Sequence, residues 1–235
     1  MLLSIIVPAF NEEKYIGDLI EKLLKIKFSE IKFEREIIVI NDGSYDNTKN
    51  IVERFSDITL INQANSGKGN AVQNGIKRAK GDYIIIQDAD LEYNPDDIIL
   101  MCKYINKADN FSVYGSRYKP FYLGLVPKYY KMQNISSYIA NILFISLFFL
   151  FYGKFISDPL TGYKLYPRDF FSKNRISSNG FEADHEISAK LIKQKYKIIE
   201  VPINYKPRTH DEGKKINFFD AIKAVKTIIL YRFKN

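Results

Sequence analysis

Asp88-Ala89-Asp90 sets two carboxylates one residue apart, directly after the strand-like run 82–87. With a small residue between them, both can turn towards one cation. Oxygen ligands with no His or Cys nearby suit Mg2+ or Mn2+ carrying phosphates, and Glu92 is a candidate third ligand. Two more strand-like runs end on acids, in Ala9-Phe10-Asn11-Glu12 and Asn41-Asp42-Gly43-Ser44. Carboxylates gathered on one sheet edge repel one another unless a cation or hydrogen-bond donors lie among them. An isolated Asp-x-Asp reads as a polar turn. Three acidic strand ends together favour a cation site.

Anion chemistry is written elsewhere in the chain. Ser66-Gly67-Lys68-Gly69-Asn70 leads into a helical stretch, and its amides suit an anion at a helix N-terminus or a plain turn. The spacing of a P-loop is absent, and no Gly-x-Gly-x-x-Gly follows the first strand, which disfavours a dinucleotide-binding domain. Arg117, Arg208, Lys214 and Lys215 are cations in loop-like settings, and arginine can grip phosphate oxygens in pairs. Lys214 and Lys215 also fit a solvated charge cluster. Glu182, Asp184 and Glu186 share a face if extended, and Glu182 and Glu186 share one if helical. One of them is a candidate general base or a sugar-positioning group, as is Asp158. His185 reads as structural, and His210 as facing phosphate.

Alternating elements must position these residues. Strands are predicted at Leu3–Pro8, Glu36–Ile40, Ile58–Asn62 and Asp82–Gln87, with helices at Lys14–Ile26, Asp46–Phe55 and Lys68–Lys80. That order predicts an α/β fold with right-handed crossovers and a mostly parallel central sheet flanked by helices. Ligands of such sheets bind beyond the carboxyl ends of the strands, where the acids lie.

Ser4-Ile-Ile-Val-Pro-Ala-Phe-Asn-Glu12, Ile40-Asn-Asp-Gly-Ser44, Gly67-Lys-Gly-Asn-Ala71 and Asp88-Ala-Asp90 resemble, in order and spacing, glycosyltransferase family 2. The resemblance implies the GT-A (Rossmann-like) fold, a nucleotide-sugar donor and an inverting transfer. Gly115-Ser-Arg-Tyr118, Asp158-Pro-Leu-Thr-Gly-Tyr-Lys-Leu165, Gly180-Phe-Glu-Ala-Asp-His-Glu-Ile187, Glu200-Val-Pro-Ile-Asn-Tyr205 and Arg208-Thr-His-Asp-Glu-Gly-Lys-Lys-Ile216 extend it over nearly the whole chain. This series resembles the polyprenyl-phosphate branch, the dolichyl-phosphate mannosyltransferases and glucosyltransferases and their bacterial relatives. The implied donor is GDP-mannose or UDP-glucose, held by Pro8, Ala9, Phe10, Glu12, Ile40, Asp42, Lys68, Asp88, Ala89, Lys214 and Lys215. The implied metal set is Asp88, Asp90 and Glu92. Asp90, Asp184, Glu186, Arg117 and Arg208 would act at the reacting centre. Two other readings stay open: transfer to a sugar hydroxyl of a glycan or glycolipid, and a non-catalytic nucleotide- or membrane-binding module.

The composition fits this picture. The 235 residues suit one catalytic domain, with a nucleotide-sugar half (1–120), an apolar interface segment (121–157) and an acceptor-side half (158–235). A single cysteine, Cys102, excludes a disulfide framework and a Cys-based zinc site. The net charge of +8 points to an anionic partner. The branch resemblance makes that partner a phosphate ligand and a membrane surface, with no nucleic acid. The apolar start of the chain lacks the cationic flank of a signal peptide. The uncharged run Met132–Gly153 is barely long enough to span a bilayer. A crossing there would put Arg117 and Arg208 on opposite sides, so the run is expected to lie in the interface or pack on the catalytic lobe. Lys128, Lys131 and Lys154 flank it. Phe218–Phe233 reads as an amphipathic helix with Ile222, Val225 and Ile229 on its apolar face. Many relatives continue into transmembrane helices, whereas this sequence ends at Asn235. The expected location is therefore peripheral or monotopic, at the cytoplasmic face of a membrane.

Overall fold

The computed structural model describes residues 1–105, 110–119, 135–208 and 218–234. β1 (Leu2–Ala9), β2 (Glu34–Asp42), β3 (Thr59–Gln63) and β4 (Tyr83–Ile86) alternate with α1 (Ile16–Lys25), α2 (Thr48–Val52) and α3 (Lys68–Arg78). α4 (Asp97–Lys103), β5 (Phe111–Ser116), α5 (Ile135–Tyr152), β6 (Lys164–Pro167), α6 (Arg168–Lys173), α7 (Ala183–Lys193), β7 (Lys197–Pro202) and α8 (Phe218–Phe233) follow. The first four strands pair in parallel, as the alternation predicts. β6 then enters antiparallel between β4 and β5, and β7 joins β5 in parallel. The seven-stranded order is β3-β2-β1-β4-β6-β5-β7, so one sheet runs through both halves of the chain.

The β-branched run of β1 explains why this sheet is covered on both faces. Leu3, Ile5 and Val7 pack with Ile16, Leu19 and Leu23 of α1 and with Ile98 and Met101 of α4. Ile6 points the other way and meets Ile38, Ile40, Ile84 and Ala71. A further apolar layer joins α5, α7 and α8 to the sheet through Phe144, Phe148, Ile187, Ile228, Tyr114 and Tyr166.

The apolar segment is described from Ile135 onward as one helix, with 132–134, Lys128 and Lys131 outside the described residues. Asn141, Phe144 and Phe148 of α5 are buried, while Ile139, Leu143, Phe149 and Leu150 are exposed. Among the described residues no helix is long and apolar enough to cross a membrane. α8 packs on α5 and α7. Its buried stripe is Ala224, Thr227, Ile228 and Tyr231, a face distinct from the apolar line of Ile222, Val225 and Ile229. Ile222 and Ile229 are exposed.

Candidate active site

The carboxyl ends of β1, β2 and β4 lie side by side, and short polar contacts lock the loops that leave them. The Asn11 N–H donates to Ser44 Oγ (3.0 Å), the Tyr45 N–H to Asn11 Oδ1 (3.0 Å) and the Glu12 N–H to Thr48 Oγ1 (2.8 Å). Phe10 meets Tyr45 edge-on, with ring centroids 5.9 Å apart. Pro8 is half-buried at the end of β1. The side chains of Ala9, Ile40 and Ala89 turn into the core. At these three positions only the backbone remains for a ligand.

Asp42 is buried and spends its carboxylate on its own chain. Gln63 Nε2 (2.7 Å) and the Ser66 N–H (2.8 Å) donate to Oδ1, and the Gly67 N–H donates to Oδ2 (2.9 Å). At the start of α3 the Asn70 N–H donates to the Asn179 carbonyl (3.1 Å). The amides of Ser66, Gly67 and Asn70 are thereby used within the chain. The glycines have a different purpose: a Cβ on Gly67 would lie 2.6 Å from the Asn179 oxygen, and one on Gly69 2.6 Å from the Ser178 oxygen. They let the 177–180 loop close over the helix start.

Cations answer the acids nearest the sheet edge. Lys68 Nζ lies 2.6 Å from Asp88 Oδ1 and 3.9 Å from Asp184 Oδ2. Burial works against the Lys68 ammonium, but Asp88 and Asp184 outweigh it and hold its pKa above the ordinary lysine value. Arg208 reaches three carboxylates: Nη2 to Asp90 Oδ2 (2.7 Å), Nη1 to Glu12 Oε2 (3.2 Å) and Nε to Glu92 Oε1 (3.2 Å). Its backbone N–H also donates to Glu92 Oε1 (3.0 Å). Burial, then Asp88 and Glu92, push the Asp90 carboxyl up to about 7 even with Arg208 opposing them. Burial likewise raises Asp184 against Lys68 and Lys164.

Among the described residues no group of three or more His, Cys, Asp or Glu side chains is arranged to hold a metal ion. Glu92, the expected third ligand, gives its oxygens to Arg208 and to the Tyr205 hydroxyl. Asp88 and Asp90 remain. Two carboxylates, of which Asp90 is raised by burial and then by its acidic neighbours, with side-chain cations as their charged partners, fit a hard divalent cation shared with phosphate oxygens. They do not make a cage for a cation held by protein alone.

The second half divides the remaining candidates. Asp184 reaches the site through Lys68. Glu186, on the same helix start, does not: its oxygens accept from the Ser177 N–H (3.0 Å), the Ser178 N–H (2.8 Å) and Lys190 Nζ (2.5 Å). Two residues along a helix turn the side chain by about 200°, so Glu186 points away from Asp184. Arg117 binds Asp158 through Nε (2.7 Å) and Nη2 (2.8 Å), and its guanidinium lies 5.0 Å from the Tyr205 ring centroid. That fork is committed to Asp158, not open to phosphate. His185 packs against Phe144, and burial followed by Lys164 pushes it down to about 3, so the ring is neutral as its structural reading requires. Lys214, Lys215 and His210 lie outside the described residues.

Four contributors escaped the sequence reading. Tyr205 links Glu92 to the face of Arg117. Tyr93 accepts the Gly162 N–H at 2.9 Å. A Cβ on Gly162 would lie 3.0 Å from Asp88 Oδ2 and 3.4 Å from Lys68 Nζ, so only glycine leaves that corner open. Lys164 is wholly buried, with Nζ 4.9 Å from the Tyr114 ring centroid. All four lie in or beside the motifs of the second half or next to Asp-Ala-Asp, which was the available signal.

Comparison with known proteins agrees with this geometry. The family described as Glycosyl transferase family 2 matches residues 4–174. A dolichyl-phosphate beta-glucosyltransferase of Dictyostelium discoideum is 32% identical, with 99% of this chain and 74% of that protein covered. A UDP-N-acetylglucosamine–dolichyl-phosphate N-acetylglucosaminyltransferase of Methanococcus voltae is 26% identical, covering 86% of this chain and 84% of that one. Glucosyl-3-phosphoglycerate synthase of Mycobacterium tuberculosis, solved with Mn2+, UDP and phosphoglyceric acid, superposes with a TM-score of 0.71. It covers 98% of this chain and 78% of its own, at 18% identity, a likeness of fold that bears out the GT-A expectation.

Proposed function

Because the chain belongs to glycosyltransferase family 2, we propose that it transfers a hexose from a nucleotide sugar to a polyprenyl phosphate such as dolichyl phosphate, with inversion, at a membrane surface. The observation that carries this is the strand-edge pair Asp88 and Asp90, whose charged partners are side-chain cations that a ligand can displace. The relatives named for dolichyl phosphate support the acceptor. A lipid phosphate oxygen attacks the anomeric carbon, forming the new C–O bond. The bond to the nucleoside diphosphate breaks on the opposite face, and the electron pair leaves with the diphosphate. Asp88 and Asp90 would hold a divalent cation, which supplies positive charge to the leaving diphosphate. Lys68, beside Asp88, reaches the same oxygens. Asp184 orients the sugar by accepting from a hydroxyl. No general base is needed, because a phosphate monoester with a second pKa near ~6 is already largely ionised at neutral pH.

The exposed apolar residues of the packed α5 and α8, including Ile139, Leu143, Phe149, Leu150, Phe219, Leu230 and Phe233, support docking in the headgroup region of the cytoplasmic leaflet. The donor is GDP-mannose or UDP-glucose. The test is transfer of labelled sugar from each donor, with and without Mn2+, to polyprenyl phosphate in vesicles and to soluble glycans. Label entering the lipid phosphate from one donor is the expected result. Label entering glycans equally well, with Asp184→Asn inactive, would replace this reading with transfer to a hydroxyl.

A further inference from the structure

Arg208 spreads its donors over three carboxylates, and only one of the three belongs to the candidate metal pair. Nη2 holds Asp90, while Nε and the backbone N–H hold Glu92 and Nη1 holds Glu12. Loss of the Asp90 contact would therefore leave Arg208 anchored at three of its four hydrogen bonds. Glu92 is itself fixed by the Tyr205 hydroxyl on its other oxygen, and the Tyr205 ring lies under the Arg117 guanidinium. The Glu92 N–H donates to Asp90 Oδ1 (3.1 Å), so the backbone already sets Asp90 without help from the Glu92 side chain. A guanidinium and a divalent cation compete for Asp90 Oδ2, because like charges that close repel each other.

Resting on the reading above, we propose that Glu92 is a positioning residue and not a metal ligand. With Tyr205 it seats Arg208, whose guanidinium holds Asp90; were Asp90 to hold the cation of a bound donor, Nη2 would be released to a phosphate oxygen of the acceptor. The exchange makes cation binding at Asp90 and phosphate binding at Arg208 parts of one event. A guanidinium with five N–H donors can keep two partners and still offer one edge to phosphate.

The test is a calorimetric titration of Mn2+ into the full chain, alone and with the nucleoside diphosphate it binds (UDP or GDP), joined to steady-state kinetics on polyprenyl phosphate. Without nucleotide, Arg208→Gln should bind Mn2+ about tenfold more tightly than the wild type, since its competitor is gone. With nucleotide, Glu92→Gln should keep its Mn2+ affinity within about twofold while its KM for polyprenyl phosphate rises about tenfold, the scale of one charge-assisted contact. Tyr205→Phe should move that KM in the same direction by less, and it decides the matter if Glu92→Gln fails to fold. Loss of Mn2+ affinity in nucleotide-loaded Glu92→Gln would make Glu92 a ligand and overturn the proposal. So would unchanged or weaker Mn2+ binding by Arg208→Gln, or no Mn2+ binding by any variant. If the wild type transfers nothing to polyprenyl phosphate, the acceptor reading fails separately, and the Mn2+ titrations still decide what Arg208 competes with.

Discussion

The donor edge at 88–92 and the entrance to α7 at 177–186 are both rich in acids, yet Glu186 at the entrance is answered differently from Asp88 and Asp90 at the edge. At the donor edge the charged partners are the side-chain cations Lys68 and Arg208, with a single amide, that of Glu92, on Asp90. At the entrance to α7, Glu186 is answered by the amides of Ser177 and Ser178 together with Lys190, and the Glu186 side chain is fully enclosed. A cation on a long side chain can move aside for a ligand. Backbone amides cannot move without unfolding the loop that carries them. The first arrangement suits chemistry and the second holds a helix in place, and residue type alone does not separate them.

The largest effect that would sharpen this contrast is at Asp90. Asp90→Asn should lower transfer by about a thousandfold at saturating donor and acceptor, the scale of losing a preorganised charge contact to the leaving group. Its melting temperature in metal-free buffer should not fall. A carboxyl whose folded pKa is raised to about 7 keeps its proton over a range where the unfolded chain has lost it. The protein therefore loses stability as pH rises from about 4 through 7, and the amide removes that loss. A melting curve series across this range checks the sign.

Glu186 should behave in the reverse way. Glu186→Ala strands two amides and Lys190, so it should cost about 3 kcal/mol of stability in chemical denaturation. Turnover per folded molecule should change by no more than about threefold, a difference of ~0.7 kcal/mol in the barrier. A thousandfold loss of turnover in a well-folded Glu186→Ala would erase the distinction between the two regions.

Gly162→Ala probes the donor edge more gently. The added methyl group presses on Asp88 and Lys68. It should raise the KM for the nucleotide sugar about tenfold, within the ~1–3 kcal/mol typical of overpacking. The smallest effect belongs to His185. Burial holds this ring neutral down to about 3, whereas an unfolded histidine protonates near its ordinary 6.5. The unfolded state then binds more protons throughout that window, so stability falls as pH drops through it. His185→Phe, packed against Phe144 and Phe148, should flatten the acid side of the melting profile without altering neutral-pH turnover.

The first half of the site was legible because each piece is local. Asp88 and Asp90 are two residues apart at the end of a buried strand, and Ile5-Ile6-Val7 and Ile84-Ile85-Ile86 can only be strands of a covered sheet. Strand order and the carboxyl-edge rule then bring Glu12, Asp42 and Asp88 together. The apolar run that includes α5 was also legible as helix, and Asn141, Phe144 and Phe148 pack it on the catalytic lobe. Which face of α8 is buried was not, because Ala224 and Ile228 are chosen by contact with α5 and α7.

What the sequence determined by itself is the family, the sheet and the position of the acids along it, since period-2 and period-3.6 apolar patterns and short motif spacings are properties of the chain alone. What only the tertiary structure decided is the partner of each charge. Arg208 finds Asp90 118 residues away, Glu92 is claimed by Tyr205, Arg117 by Asp158, and Glu186 by the amides of its own loop. A buried charge takes the function its nearest opposite charge or hydrogen-bond donor allows, and that neighbour is set by packing over distances that sequence spacing does not record.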